Sequence, residues 1–141
     1  MSKGNVYESD LIKLLFNKVS ITGIATAATG VANLVVSLHT GDPGEAGNQT
    51  TSEVAYGSYA RQSKARTTGV WAVTNNSASP VANIDFPACT SGTTGVATHF
   101  AIGTAATGTG KILYKGAITP SISIGVGVTP RLTTSSAVSE D

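Results

Sequence analysis

The sequence predicts an all-β fold, a jelly-roll-like antiparallel sandwich carrying one short N-terminal helix. Three observations predict it. Apolar residues recur at every second position in segment after segment beyond residue 33, turn chemistry separates most of these segments, and helical spacing occurs only once. At 141 residues the chain has the length of about one domain, enough to close a core without disulfides or metal.

The helix is predicted over residues 9–19. Ser9 is a candidate N-cap, Asp10 in the first turn suits the helix dipole, and Leu11, Leu14, Leu15 and Val19 fall at 3–4 spacing. Residues 20–33 are small and threonine-rich and read as a connector or an extended arm. The chain therefore divides into residues 1–33, helix and connector, and residues 34–141, the β domain.

The β segments follow in order. Leu34, Val36 and Leu38 alternate with Val35, Ser37 and His39, and Asp42-Pro43-Gly44 then supplies a turn. A polar loop follows over residues 45–52. Val54, Tyr56 and Ser58 give a second alternation, and residues 70–74 a third around Trp71. Ala82, Ile84, Phe86 and Ala88 form another set, as do Val96, Thr98, Phe100 and Ile102. Residues 111–118 are strand-like around Ile112 and Tyr114, Ile122, Ile124, Val126 and Val128 alternate with small residues, and Leu132 starts a last short strand. Turns are expected at Asn75-Asn76, Ser91-Gly92, residues 107–110 and Thr119-Pro120. The gaps are too short for the crossover helices of a parallel sheet.

Composition narrows the function. Charged residues make up 12% of the chain, about half the ~25% usual in soluble domains. A surface so poor in charge suits contact with other proteins. The net charge of +1 argues against nucleic acid. Arg61, Lys64 and Arg66 are the nearest approach to a basic patch and read as an edge or a contact to an acidic partner. Residues 1–10 are polar, and Lys13, Asn17 and Lys18 interrupt the apolar stretch that follows, so neither a secretory signal nor a membrane span is expected.

Chemistry is sparse. Cys89 is the single cysteine and reads as a small buried apolar side chain. His39 and His99 fall on the faces opposite the apolar sets, which predicts outward histidines. With Asp42 they lack the short spacing of a metal site. Residues 103–111 fail as a phosphate loop because Ala105 and Ile112 stand where glycine and a hydroxyl residue are needed. No catalytic, cofactor or metal residue is expected. His99, flanked by the small Ala97 and Ala101, suggests a flat contact face. The loop of residues 41–52, with Asp42, Glu45 and Asn48, is either a structural turn or a docking loop.

Several blocks carry a family resemblance. Residues 34–50, an apolar strand followed by SLHTGDPGEAGNQT, resemble a block of small tailed-phage virion proteins, whose members are often labelled tail-fibre-like. Tyr59-Ala60-Arg61, Phe86-Pro87-Ala88-Cys89, Thr98-His99-Phe100-Ala101-Ile102-Gly103 and Gly110-Lys111-Ile112-Leu113-Tyr114 resemble later blocks of the same proteins. Within them the similarity is to capsid cementing (decoration) proteins of podophages. It implies a jelly roll that dimerises on the outside of a capsid and binds the major capsid protein. The alternative it leaves open is a tail-fibre or tail-tip module facing a host receptor. The candidate capsid or dimer contacts are Asp42, Glu45, Asn48, Arg61, Lys64, Arg66, Ala97, His99 and Ala101.

The alternation around Ile124 makes a direct test of register. Ile124→Asp is expected to cost roughly 3 kcal/mol or more by burying an unpaired carboxylate. Ser123→Asp, on the opposite face, is expected to be mild. Thermal melts of the two variants check this, and equal losses would mean that the register is wrong.

Overall fold

The computed structural model describes residues 2–27, 30–92 and 95–140. Residues 28 and 29 of the expected connector lie outside this set. Helix α1 (Asn5–Asn17) precedes β1 (Asn33–His39), β2 (Gln62–Ala65), β3 (Trp71–Thr74), β4 (Ser77–Pro80), β5 (Ile84–Asp85), β6 (Gly95–Gly103), β7 (Ile112–Ile124), β8 (Arg131–Leu132) and β9 (Val138–Ser139). All pairings are antiparallel, in one four-stranded sheet ordered β2-β1-β6-β7 and two small sheets, β3-β4-β9 and β5-β8. The expected fold class holds: a mostly β chain with one short N-terminal helix.

The core lies on one face of the large sheet. Leu34, Val36 and Leu38 of β1, with Phe100 and Ile102 of β6, pack against Trp71, Ala78, Ile84, Leu132 and Val138 of the small sheets. Ile12 and Phe16 close it from α1. Phe16 meets Trp71 edge-on at 4.9 Å between ring centroids and Tyr114 at 5.6 Å. Cys89 is buried in this core, as its apolar surroundings predicted.

The helix is displaced from its expected position. It begins at Asn5 behind Gly4, with no side-chain cap, so Ser9 is an interior residue. The buried stripe is Glu8, Ile12 and Phe16 at i, i+4, i+8, and Val19 lies outside the helix and is exposed. Leu11, Leu14 and Leu15 only flank that stripe. One aromatic in the core outweighs several leucines at its margin.

Three strand expectations are also corrected. Residues 53–58 form no strand: 54–56 are irregular and 57–58 turn, with Ser52 and Ser58 at positive φ. Only Glu53 retains a bridge, to His39. The partner of β1 is instead β2, whose polar residues carry no strand signal. The two segments expected at 111–118 and 122–129 form one strand, β7, which runs through Pro120 and ends at Ile124. Proline is tolerated there because β7 is an edge strand and 118–121 bulge away from β6. Ile124 is buried, but Val126 and Val128 leave the sheet and are exposed. In β6 the register shift between Ala97 and His99 reverses the alternation, so Ala97 joins the core while Val96 points outward.

One side chain joins helix, connector and sheet. Arg66, just past β2, donates from Nε to the Leu15 carbonyl (2.5 Å), from Nη2 to that of Leu14 (2.5 Å) and from Nη1 to that of Val31 (2.9 Å). These are carbonyls of the last helical turn and of the connector, where the helix dipole is negative. Arg66 is 8% exposed, and burial pulls its guanidinium below the usual arginine range. Removing it strands several carbonyls. Arg66→Ala is expected to lower the unfolding free energy by about 2–4 kcal/mol, as measured by urea denaturation. Arg66→Lys is expected to recover only part, since an ammonium lacks the planar fork.

Candidate interaction surface

The second face of the large sheet is closed by the segment between β1 and β2. Six of the seven residues of β1 are buried, so Val35, Ser37 and His39, opposite the core set, are covered too. The cover is the loop of residues 40–52. Gln49 is fully buried. Its Nε2 donates to the Val35 carbonyl (3.2 Å), its Oε1 accepts from Ala105 N–H (3.0 Å), and its own N–H reaches Gly110 (2.9 Å). Gly103 and Gly110 are required here, because a Cβ on either would stand 2.3 Å from Gln49 Cδ or 2.2 Å from its Oε1. Two side chains shape the loop itself. Asp42 Oδ1 accepts from Gly44 N–H (2.8 Å), and Asn48 Oδ1 accepts from Thr50 N–H (2.9 Å). Asn48 is thereby a turn residue, and it also bridges to Lys111.

His39 is not outward but fully buried beneath this loop. Its Nδ1 faces the Thr51 carbonyl at 2.8 Å, which requires the proton there, and Nε2 then accepts from Ser37 Oγ at 2.9 Å. Burial holds the imidazole below its ordinary pKa of 6.5. Glu53 pulls the other way, while Arg61 and the cross-strand His99 reinforce the depression.

The nominated basic residues separate. Arg61 is buried against Glu53 in a bidentate pair (Nε–Oε1 2.6 Å, Nη2–Oε2 2.7 Å), and its Nη1 donates to the Ala105 carbonyl (3.0 Å). Tyr59 joins them, donating to Glu53 Oε1 (3.1 Å) and accepting from Leu38 N–H (3.0 Å). Burial drives the Tyr59 hydroxyl far above the usual tyrosine range. Arg61 and Arg66 are therefore framework residues and form no shared cationic edge. Lys64 alone stays at the surface, near Asp85, whose carboxyl is held low first by Arg131. Ala97 and Ala101 are fully buried, so the expected flat face beside His99 is absent. The β6 bulge turned Ala97 inward, and the loop covers Ala101, which pairs with Ser37 and Lys115.

Two surface features remain. Lys115 Nζ binds Asp42 (3.0 Å) and Glu45 (3.3 Å), with Glu45 almost wholly exposed, and His99 lies close enough to add to the field at Asp42. Asp42 is held below the usual carboxylate range by the Gly44 N–H first and Lys115 second. Elsewhere Lys3 pairs with Glu140 (3.0 Å) and Arg131 with Asp85, so with Arg61 and Lys115 four of the nine cations hold a carboxylate. The other feature is apolar. Val96, Val126 and Val128 are 42%, 71% and 37% exposed. Val96 and Val128 line a shallow cavity of about 400 Å³ with Ser123, Ile124 and flanking glycines. All three valines belong to the apolar sets of the sequence alternation, yet they lie outside the core. Among the described residues no cluster of metal-ligating side chains occurs, and no helix is long and apolar enough to cross a membrane.

The buried imidazole gives a pH prediction. The folded chain keeps His39 neutral, while the unfolded chain protonates it near 6.5. Its contribution to stability is therefore complete above that value and is lost as pH falls toward the depressed folded pKa. Melting temperature is expected to drop between about pH 7 and pH 5, with a slope from this group of at most about 1.4 kcal/mol per pH unit. His39→Gln is expected to melt lower at neutral pH but with a flatter profile. A wild-type profile as flat as the variant's would contradict the assignment.

Residues 3–139 match the family model described as "Podophage GP4 fiber I protein gp80". No curated protein matches the chain.

Proposed function

The chain belongs to the podophage GP4 fiber I protein gp80 family, a family of phage structural proteins, and from that premise we propose that it is a non-enzymatic cement protein of the capsid exterior. In this reading it binds the major capsid protein as a homodimer and stabilises the shell. The observation that carries it is the surface. Charge is sparse, four of the nine cations are paired within the chain, and Val96 and Val128 line one shallow cavity near one end of the large sheet, with Val126 also exposed. Such a surface loses little on desolvation and gains from apolar contact. The sequence resemblance to capsid cementing proteins points the same way. For the dimer, β7 offers a 13-residue edge strand with no partner on its outer side among the described residues. A two-fold pairing of such edges uses one patch twice.

A second reading is favoured by the family description itself, which names a fiber. A fiber module would attach at few copies per particle and contact the host.

An add-back experiment separates the two. Purified protein is mixed with capsids lacking it and with isolated tails, and bound copies are counted. The cement reading expects stoichiometric capsid binding and a gain in capsid heat resistance. Val126→Asp is expected to weaken that binding by about tenfold or more without lowering the melting temperature of the free protein. Binding to tails or cells alone would replace the cement reading by the fiber reading.

A further inference from the structure

We infer that residues 40–52 are an acid-released strap: when His39 takes up a second proton, this segment lifts from the large sheet while the rest of the domain stays folded. The inference does not depend on the cementing reading. His39 and Gln49 are the buried side chains that join the strap to the sheet. Gln49 reaches the Val35 carbonyl and the Ala105 N–H. These partners are backbone amides that do not titrate, so Gln49 holds the strap equally at every pH. His39 donates from Nδ1 to the Thr51 carbonyl of the strap, and this tie responds to acid. The outer ties of Lys115 to Asp42 and Glu45 are open to water and weak. At the neck, where Thr40 N–H donates to the Ser52 carbonyl (2.7 Å), Ser52 sits in the left-handed region (φ 53°), a strain that lifting relieves.

The neutral imidazole suits both of its partners, donating to Thr51 and accepting from the Ser37 hydroxyl. A second proton turns Nε2 into a donor, so Ser37 has to turn its own proton away. The new charge also has poor company. Arg61, ahead of β2, and His99, the cross-strand neighbour on β6, repel it. Glu53, bridged to His39, attracts it, but that carboxylate is already held twice by Arg61 and once by Tyr59. Lys115 of β7 is engaged outside with Asp42 and Glu45. A cation closed in such a site is costly, and lifting the strap returns it to water.

The sign follows. The closed chain favours the neutral ring, and the open chain takes the proton near the ordinary 6.5. The open population therefore grows as pH falls through that value, by at most about tenfold per pH unit. Carboxylates ordinarily titrate lower, which leaves the histidines as the side chains that change charge between about pH 7 and pH 5. Lifting bares Val35 and Ser37 of β1 and Ala101 of β6, a sheet face that is fully covered at neutral pH. The strap thus makes this face an acid-gated surface.

The test is hydrogen–deuterium exchange of the full chain, read amide by amide between pH 7 and pH 5 and corrected for the intrinsic pH dependence of exchange. Protection of the Thr40 and Gln49 amides, which donate to Ser52 and Gly110, is expected to fall about tenfold or more. Phe100 and Ile102, in a strand paired on both sides, are expected to keep theirs. His39→Gln is expected to flatten the strap response, and His99→Gln to leave it in place. If His39→Gln fails to fold, the wild-type ring resonances decide, because loss of strap protection has to follow the titration of His39 and not that of His99. The inference is overturned if strap and β6 amides lose protection together, which is global unfolding, or if the strap amides do not respond. It is equally overturned if His39→Gln responds like the wild type, or if His99→Gln abolishes the response.

Discussion

The rest of the structure depends on β1 being buried on both faces. An antiparallel strand usually gives one face to the core and one to water. Here the core side is apolar, but the other side carries Ser37 and His39, and polar groups hidden from solvent need partners. The loop that follows β1 folds back and supplies them. Its Gln49 crosses to β1 and to the loop after β6, and its Thr51 carbonyl accepts from the imidazole N–H. The small residues of β6 on that side, Gly103 and Ala101, with Gly110 just before β7, leave the space this cover needs. Removing any part would leave the strand with buried groups that nothing answers.

This constraint also explains which residues carry the family resemblance. The SLHTGDPGEAGNQT block is the end of β1 plus its cover. Arg61 of the YAR block braces Glu53, Pro87 of the FPAC block receives the Tyr56 hydroxyl, and Gly110 of the GKILY block accepts from Gln49. These blocks specify how the domain is built. They were legible as a resemblance because folding leaves little freedom at those positions. A contact surface need not share that restriction.

What the sequence disclosed and what it hid follow the same physical division. Period-two runs ending in a turn located β1, β3 and most of β6, and Asn75-Asn76 was readable as the β3–β4 turn because asparagine accepts positive φ. β2 was invisible, since Gln62-Ser63-Lys64-Ala65 pairs through its backbone and has no apolar alternation. The bulge at Thr98 was equally hidden, and it inverted the assignments of Val96 and Ala97. The candidate contacts suffered most. Arginines and histidines look like surface residues in a string of letters, and only tertiary partners such as Glu53, the Leu14 and Leu15 carbonyls and Thr51 show them to be internal.

The pairing of charges within the chain has a kinetic consequence. Lys3, Arg61, Lys115 and Arg131 each hold a carboxylate, and the net charge is +1. Little field therefore extends beyond the ~10 Å over which salt screens at about 0.1 M. Encounters with neighbouring proteins would proceed without long-range steering, at the roughly 10⁵–10⁶ M⁻¹s⁻¹ of uncharged partners, and almost independently of ionic strength. Copies of the chain would also crowd together without mutual repulsion. Assembly built on such a surface is slow to start but indifferent to the salt of a lysed cell or of pond water.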